Sequence, residues 1–228
     1  MFWRIAWFEI KFWLRSWMLW VFFGIVALLV FAAVSLRGLT LFIVLTNTHR
    51  NAPFVIQSYY AYMSLFLLLM MAAFINSSAL RDFRYNTNQI VFSTPIKRSS
   101  FLLGRFVGGT ILSVIPMLGV SAGILLAKYM PWVDPDRWGP VDWNAHLHGV
   151  TVFALPTVFF LAAVLFAVAV LARNEIVPFV AAIVLLVGYV IGDSLLTDIK
   201  YESILHLDWV VQFLEITNIH ILHASHHK

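Results

Sequence analysis

The chain has 228 residues, of which 61% are hydrophobic and 11% charged, with a mean hydropathy of +0.88 and a formal net charge of +4. That balance excludes a soluble or disordered protein and fits an integral membrane protein. The absence of cysteine removes any disulfide framework, thiolate metal site or cysteine nucleophile, and the basic residues are split between membrane ends rather than gathered for nucleic acid.

Residues 1–15, MFWRIAWFEIKFWLR, are too short to span a bilayer. At about 100° per residue, Arg4, Lys11 and Arg15 fall within about 40° of one another on a helix, while Trp3, Trp7, Phe12 and Trp13 cover the remainder. The pattern predicts an interfacial helix anchored by Trp3, Arg4, Trp7, Lys11, Trp13 and Arg15, turning into the first span at Ser16. A signal peptide is the rival reading. The aromatic-rich start and the lack of a clean small-residue cleavage site count against it.

Five segments then have the length to cross at about 1.5 Å per residue: 16–36, 55–76, 106–127, 150–172 and 176–196. Their apolar runs are continuous, whereas barrel strands alternate, so the expected fold class is all-α, a polytopic helical bundle. Asp193 near one end of the fifth segment leaves it the shortest apolar part. Pro116, Pro156 and Pro178 fall inside expected spans and are read as bending them. Placing the N-terminus, the 77–105 connection and the 173–175 turn on one side puts nine cations there against six on the other, which assigns that side to the cytoplasm. The expected location is the inner (plasma) membrane, with residues 197–228 forming an extracytoplasmic tail.

The connection between the second and third spans is the most informative stretch. Arg81, Arg84, Lys97, Arg98 and Arg105 stand against the single acid Asp82. At about 2.5–3.5 kcal/mol for each cation at a bilayer centre, the segment must remain in water. A short helix is predicted over Thr87–Phe92, and Thr94 before Pro95 should end it. Ser99 or Ser100 is then placed to cap a helix from Phe101 into the third span.

Three runs here, Arg81-Asp82-Phe83-Arg84-Tyr85-Asn86-Thr87, Ser93-Thr94-Pro95-Ile96-Lys97-Arg98 and Phe101-Leu102-Leu103-Gly104-Arg105-Phe106, resemble the transmembrane subunits of type-2 ABC exporters (ABC-2). The likeness covers residues 81–105 closely, and the flat N-terminal helix and surrounding spans suit the same layout. Asn86 stands where the family often has Gly, and Gln89 where an acid is common. The resemblance implies a permease that forms the substrate pathway with a second half, a homodimer or a related chain. It also implies a coupling helix seated on a separate cytoplasmic ATPase, which would hold ATP and Mg, the permease itself binding no cofactor. Docking falls to Arg81, Asp82, Arg84, Thr87, Gln89, Thr94, Pro95, Lys97 and Arg98.

The family usually has six spans per half and this chain offers five, since Asp208 and Glu215 interrupt the only apolar stretch of the tail. The chain is therefore expected either to be a piece of a longer permease–aminopeptidase protein or to have lost the usual ending. His220, His223 and His227 have a spacing that could gather a metal if helical, but a frayed tail is the simpler reading and no metal site is assigned.

No G-x-x-x-x-G-K-[ST] occurs, so nucleotide hydrolysis is expected in a partner and not in this chain. Gly119-Val120-Ser121-Ala122-Gly123 matches the nucleophile-elbow pattern, and Ala145-His146-Leu147-His148-Gly149 resembles the A-H-x-x-G of rhomboid proteases. Ser121 is expected about 9 Å below the surface and His146 before the fourth span begins, so the two should not meet. Small residues at 119, 121, 122 and 123 read more simply as a packing face. Two further alternatives are an ion-coupled secondary transporter, disfavoured because the first four spans hold no ionisable residue, and a membrane anchor without transport.

Overall fold

The computed structural model describes residues 2–36, 48–85 and 97–198, all helical or connecting, with no strand among the described residues. Met1–Val184 forms one compact unit and Leu185–Lys228 a second. The first helix, α1, covers Phe2–Leu14. After a break at Arg15–Ser16, α2 runs Trp17–Ser35, and α3 then spans Pro53–Arg84. Next comes α4, Arg98–Lys128, with Pro116 in its interior. A short 3₁₀ turn at Pro135–Arg137 leads to α5, Trp143–His148, which passes through a π-helical turn, Gly149–Ala154, into α6, Leu155–Ala172. The last described helix is α7, Val177–Asp198.

Among the described residues, four helical segments are long and apolar enough to cross a membrane: Trp17–Ser35, Pro53–Asp82, Arg98–Lys128 and the continuous Trp143–Ala172. The fifth expected segment does form a helix, but its apolar part, Val177–Gly192, falls short of that length. Pro116 lies in the interior of α4, and Pro156 lies inside the continuous Trp143–Ala172 segment, directly after its π-helical turn; Pro178 lies in the first turn of α7, where no N–H is needed.

α4 is the axis of the first unit, and its glycines explain why. A Cβ at Gly104 would lie 2.9 Å from Ile5 Cβ, and one at Gly108 would lie 2.7 Å from Glu9 Cβ, so α1 rests directly on that backbone. Higher up, a Cβ at Gly119 would meet the Phe23 carbonyl at 2.8 Å, and one at Gly123 would collide with the Ala27 carbonyl, which brings α2 equally close. Two i,i+4 glycine pairs on one helix therefore seat two different neighbours. α2 and α4 form the largest helix–helix interface, and α3 packs on both α4 and α6.

Two boundaries depart from the sequence reading. α3 continues through Asn76, Ser77 and Ser78 to Arg84, about two turns beyond the expected end of its span. α4 begins at Arg98 rather than Phe101, with Lys97 at its N-cap and no side-chain capping bond from either serine. Both helices thus reach into the connection. Arg81, Asp82 and Arg105, letters that read as a water-exposed connection, are instead paired with partners on neighbouring helices.

Candidate functional site

The C-terminal end of α3 and the N-terminal end of α4 meet under α1 in a buried ionic knot. Glu9 is fully buried, and Arg81 donates to both its carboxylate oxygens, Nη1 to Oε1 at 3.2 Å and Nη2 to Oε2 at 3.0 Å. This bidentate fork is the strongest geometry available to the pair. Arg105 reaches Glu9 with Nε at 3.6 Å, donates from Nη2 to Asp82 Oδ1 at 2.7 Å, and donates from Nη1 to the Ser78 carbonyl at 2.9 Å. Trp13 closes the underside, its indole N–H donating to Ser78 Oγ at 3.2 Å. Rings complete the enclosure, with Arg81 over Phe12 at 3.9 Å and Arg105 over Phe101 at 4.6 Å. Two guanidinium groups thus face two carboxylates in a largely buried site.

Burial raises the Glu9 carboxyl above its ordinary value, against the pull of Arg81 and Arg105 in the other direction. Removing one member of such a cluster strands a buried charge, at a cost of about 3–5 kcal/mol. The knot therefore locks α1, α3 and α4 together at the point where α3 ends and α4 begins.

The residues assigned to docking divide in three. Arg81 and Asp82 turn inward and are spent on the knot. Arg84, Lys97 and Arg98 are exposed, with Arg84 Nε 3.1 Å from Glu175 Oε1. Thr87, Gln89, Thr94 and Pro95 lie outside the described residues, as do the predicted 87–92 helix and the histidine-bearing tail. Among the expected interfacial anchors, Trp3, Arg4, Trp7, Lys11 and Arg15 are exposed. Trp13 is the correction: it is buried against α3, its ring edge-on to Phe74 at 4.8 Å, because it lies on the same face as Ala6 and Glu9. Glu9 was missed in the sequence reading. Its signal was its angle, about 140° from Arg4 on the helical wheel, which separates it from the cation stripe.

A second polar cluster occupies the opposite end of α3, about 30 Å away at 1.5 Å per residue. Tyr60 Oη and Ser121 Oγ are 2.7 Å apart, and Ser121 Oγ is again 2.7 Å from His146 Nδ1. Beside them, Gln57 Nε2 lies 3.3 Å from His148 Nδ1. The expected separation of Ser121 and His146 is thus overturned. The helical segment begins at Trp143, its first turn capped by Asp142 accepting from Asn144 N at 2.9 Å, so His146 already lies one turn inside. Gly149 leaves room for the Tyr60 ring, which a Cβ there would meet at 2.5 Å. Further out, Asn51 donates to the Gly139 and Pro140 carbonyls at 2.9 and 2.8 Å and accepts from Gly139 N at 2.8 Å, which ties the loop before α5 to the start of α3.

Serine beside histidine is the arrangement of a nucleophile and its base. Here, however, the second contact of Ser121 goes to a tyrosine hydroxyl, and the small gap that His146 lines with Asn51, Ile124 and Lys128 has no room for a water molecule. No group of three or more His, Cys, Asp or Glu side chains among the described residues could hold a metal ion.

Compared with protein-family models, curated proteins and solved structures, the chain matches none.

Proposed function

We propose that this chain is the membrane-spanning permease subunit of an ABC-2-type exporter, driven by a separate cytoplasmic ATPase that docks on the connection between α3 and α4. The observation that carries this reading is the ionic knot. It ties both helices bracketing the connection to each other and to α1, so a push delivered at residues 85–97 enters two long spans as one rigid end instead of being lost in a loop. The exposed cations Arg84, Lys97 and Arg98 offer a basic face to the partner. The knot is charge-balanced, so docking does not compete with it. The partner would bind ATP and Mg, and a second permease half would complete the substrate pathway in the inner membrane.

The test is co-purification from the source membrane. A triple variant, Pro95→Ala with Lys97→Glu and Arg98→Glu, should insert normally and lose an ATPase that the unaltered chain retains. Retention by the variant, or no ATPase on either, would count against the assignment.

A second reading, a membrane serine hydrolase, is favoured by the 2.7 Å contact between Ser121 and His146 alone. A fluorophosphonate probe separates the two. The permease reading expects no label on Ser121, and label abolished by Ser121→Ala would favour the hydrolase.

A further inference from the structure

A cavity of about 240 Å³ opens beside the knot, between α1, the last turns of α3 and the start of α7. Its polar wall holds Asn76, Arg81, Arg84 and Glu175, and Phe12 and Phe179 stand among its apolar walls. Asn76 is the unusual member. It is more than nine-tenths buried, and its Nδ2 donates to the Glu175 carbonyl at 2.8 Å, which fixes the amide orientation and aims Oδ1 as an acceptor. That Oδ1 is buried with no hydrogen-bond partner. A buried acceptor left unmet carries a desolvation penalty that a donor from a ligand would remove.

Charge narrows the ligand. Arg81 is held by Glu9, so the exposed Arg84, whose Nε meets Glu175 Oε1 at 3.1 Å and whose guanidinium has donors beyond that one contact, is the group that can take a phosphate. The carboxylate of Glu175 and the orphan amide oxygen, close by in the sequence of the wall, call for a group with N–H donors and positive charge. The site is therefore not simply basic, and it pairs opposite charges across a small space. Its volume lies below the ~300–1,000 Å³ of cavities that swallow whole small molecules, so it suits a headgroup whose tails lie elsewhere. The apolar walls at the end of a long apolar helix supply that exit.

We propose that this cavity is a binding site for a phospholipid with a primary-amine headgroup, its phosphate on Arg84 and its ammonium shared between Asn76 Oδ1 and the Glu175 carboxylate. Such a lipid would bridge α1, α3 and the α6–α7 turn, as a structural ligand independent of any transported substrate. The site stands on the cavity and its residues and does not depend on the exporter reading.

The experiment is native mass spectrometry of the intact chain reconstituted with phosphatidylethanolamine, phosphatidylcholine or phosphatidylglycerol in otherwise identical detergent. The first should be retained about tenfold better than the second, whose methylated nitrogen has no N–H to give. Arg84→Ala, at an exposed position that spares the fold, should lower that retention about tenfold, and Glu175→Gln should narrow the gap between the first two lipids. Equal retention of ethanolamine and choline lipids would overturn the proposal, as would preference for the glycerol headgroup. Asn76→Leu tests the acceptor directly, with unchanged helicity by circular dichroism as its folding control. Undiminished ethanolamine preference in that variant would also overturn it.

Discussion

α3 carries one polar cluster at each end, and the two are built from opposite chemistry. Near its C-terminus, Arg81 and Asp82 join Glu9 and Arg105 in a largely buried knot of four ionisable side chains. Near its N-terminus, Gln57 and Tyr60 meet Ser121, His146 and His148 through neutral or neutralisable groups. Full charges in a buried site are expensive unless every partner is present, so the first cluster is an all-or-none clamp. Neutral hydrogen bonds exchange with water at small net gain, so the second can loosen without unfolding anything. One end of the helix is made to hold position. The other is made to adjust.

Breaking each cluster should expose that difference, and the largest effect belongs to the knot. Arg105→Ala takes the 2.7 Å partner from Asp82 Oδ1 and one of two guanidinium neighbours from Glu9, and should lower stability by about 3–5 kcal/mol, read as a fall in the thermal midpoint in detergent. Gly108→Leu comes next. It forces α1 off α4, where even a Cβ would lie 2.7 Å from Glu9 Cβ and 3.0 Å from the Ala6 carbonyl, at a cost of about 1–3 kcal/mol or more. Limited proteolysis should then release the α1 segment first. Ser121→Ala should cost only about 1 kcal/mol, the net worth of neutral hydrogen bonds. A loss as large as that from Arg105→Ala would erase the contrast between the ends.

The smallest effect concerns pH. Burial places the folded-state value for Glu9 above the ordinary 4.5. The folded protein therefore takes up this proton more readily than the unfolded chain does. The contribution of the group is fully present below the unfolded value and is lost as pH rises through the folded one. Acidification from neutral pH toward 4.5 should accordingly shift the difference in thermal midpoint between the unaltered chain and Glu9→Gln in favour of the unaltered chain. A shift the other way would mean that Arg81 and Arg105 outweigh burial.

The membrane-crossing helices were readable in the sequence, because a continuous apolar run of this length has few other uses. Their ends were not. The last two turns of α3 bear Ser78, Arg81 and Asp82, letters that read as a solvated connection until α1 and α4 supply their partners. Trp13 was misplaced for a related reason: tryptophan at a helix end suits a lipid surface, and only the alignment with Ala6 and Glu9 marks it as inward. The Ser121–His146 contact was hidden because depth had been counted from an expected span start at 150, seven residues after the helix in fact begins. Gly119 and Gly123 were visible as part of a packing face, but Gly104 and Gly108, which seat a different neighbour, were not.

The central claim, that the end of the bundle holding the knot faces the cytosol and is gripped there, can be tested by labelling. The chain has no cysteine, so Arg98→Cys gives a single site for a membrane-impermeant maleimide on an exposed residue. The account predicts label in inverted membrane vesicles, none in intact cells, and protection when the ATPase partner is bound. Labelling from outside intact cells would contradict it.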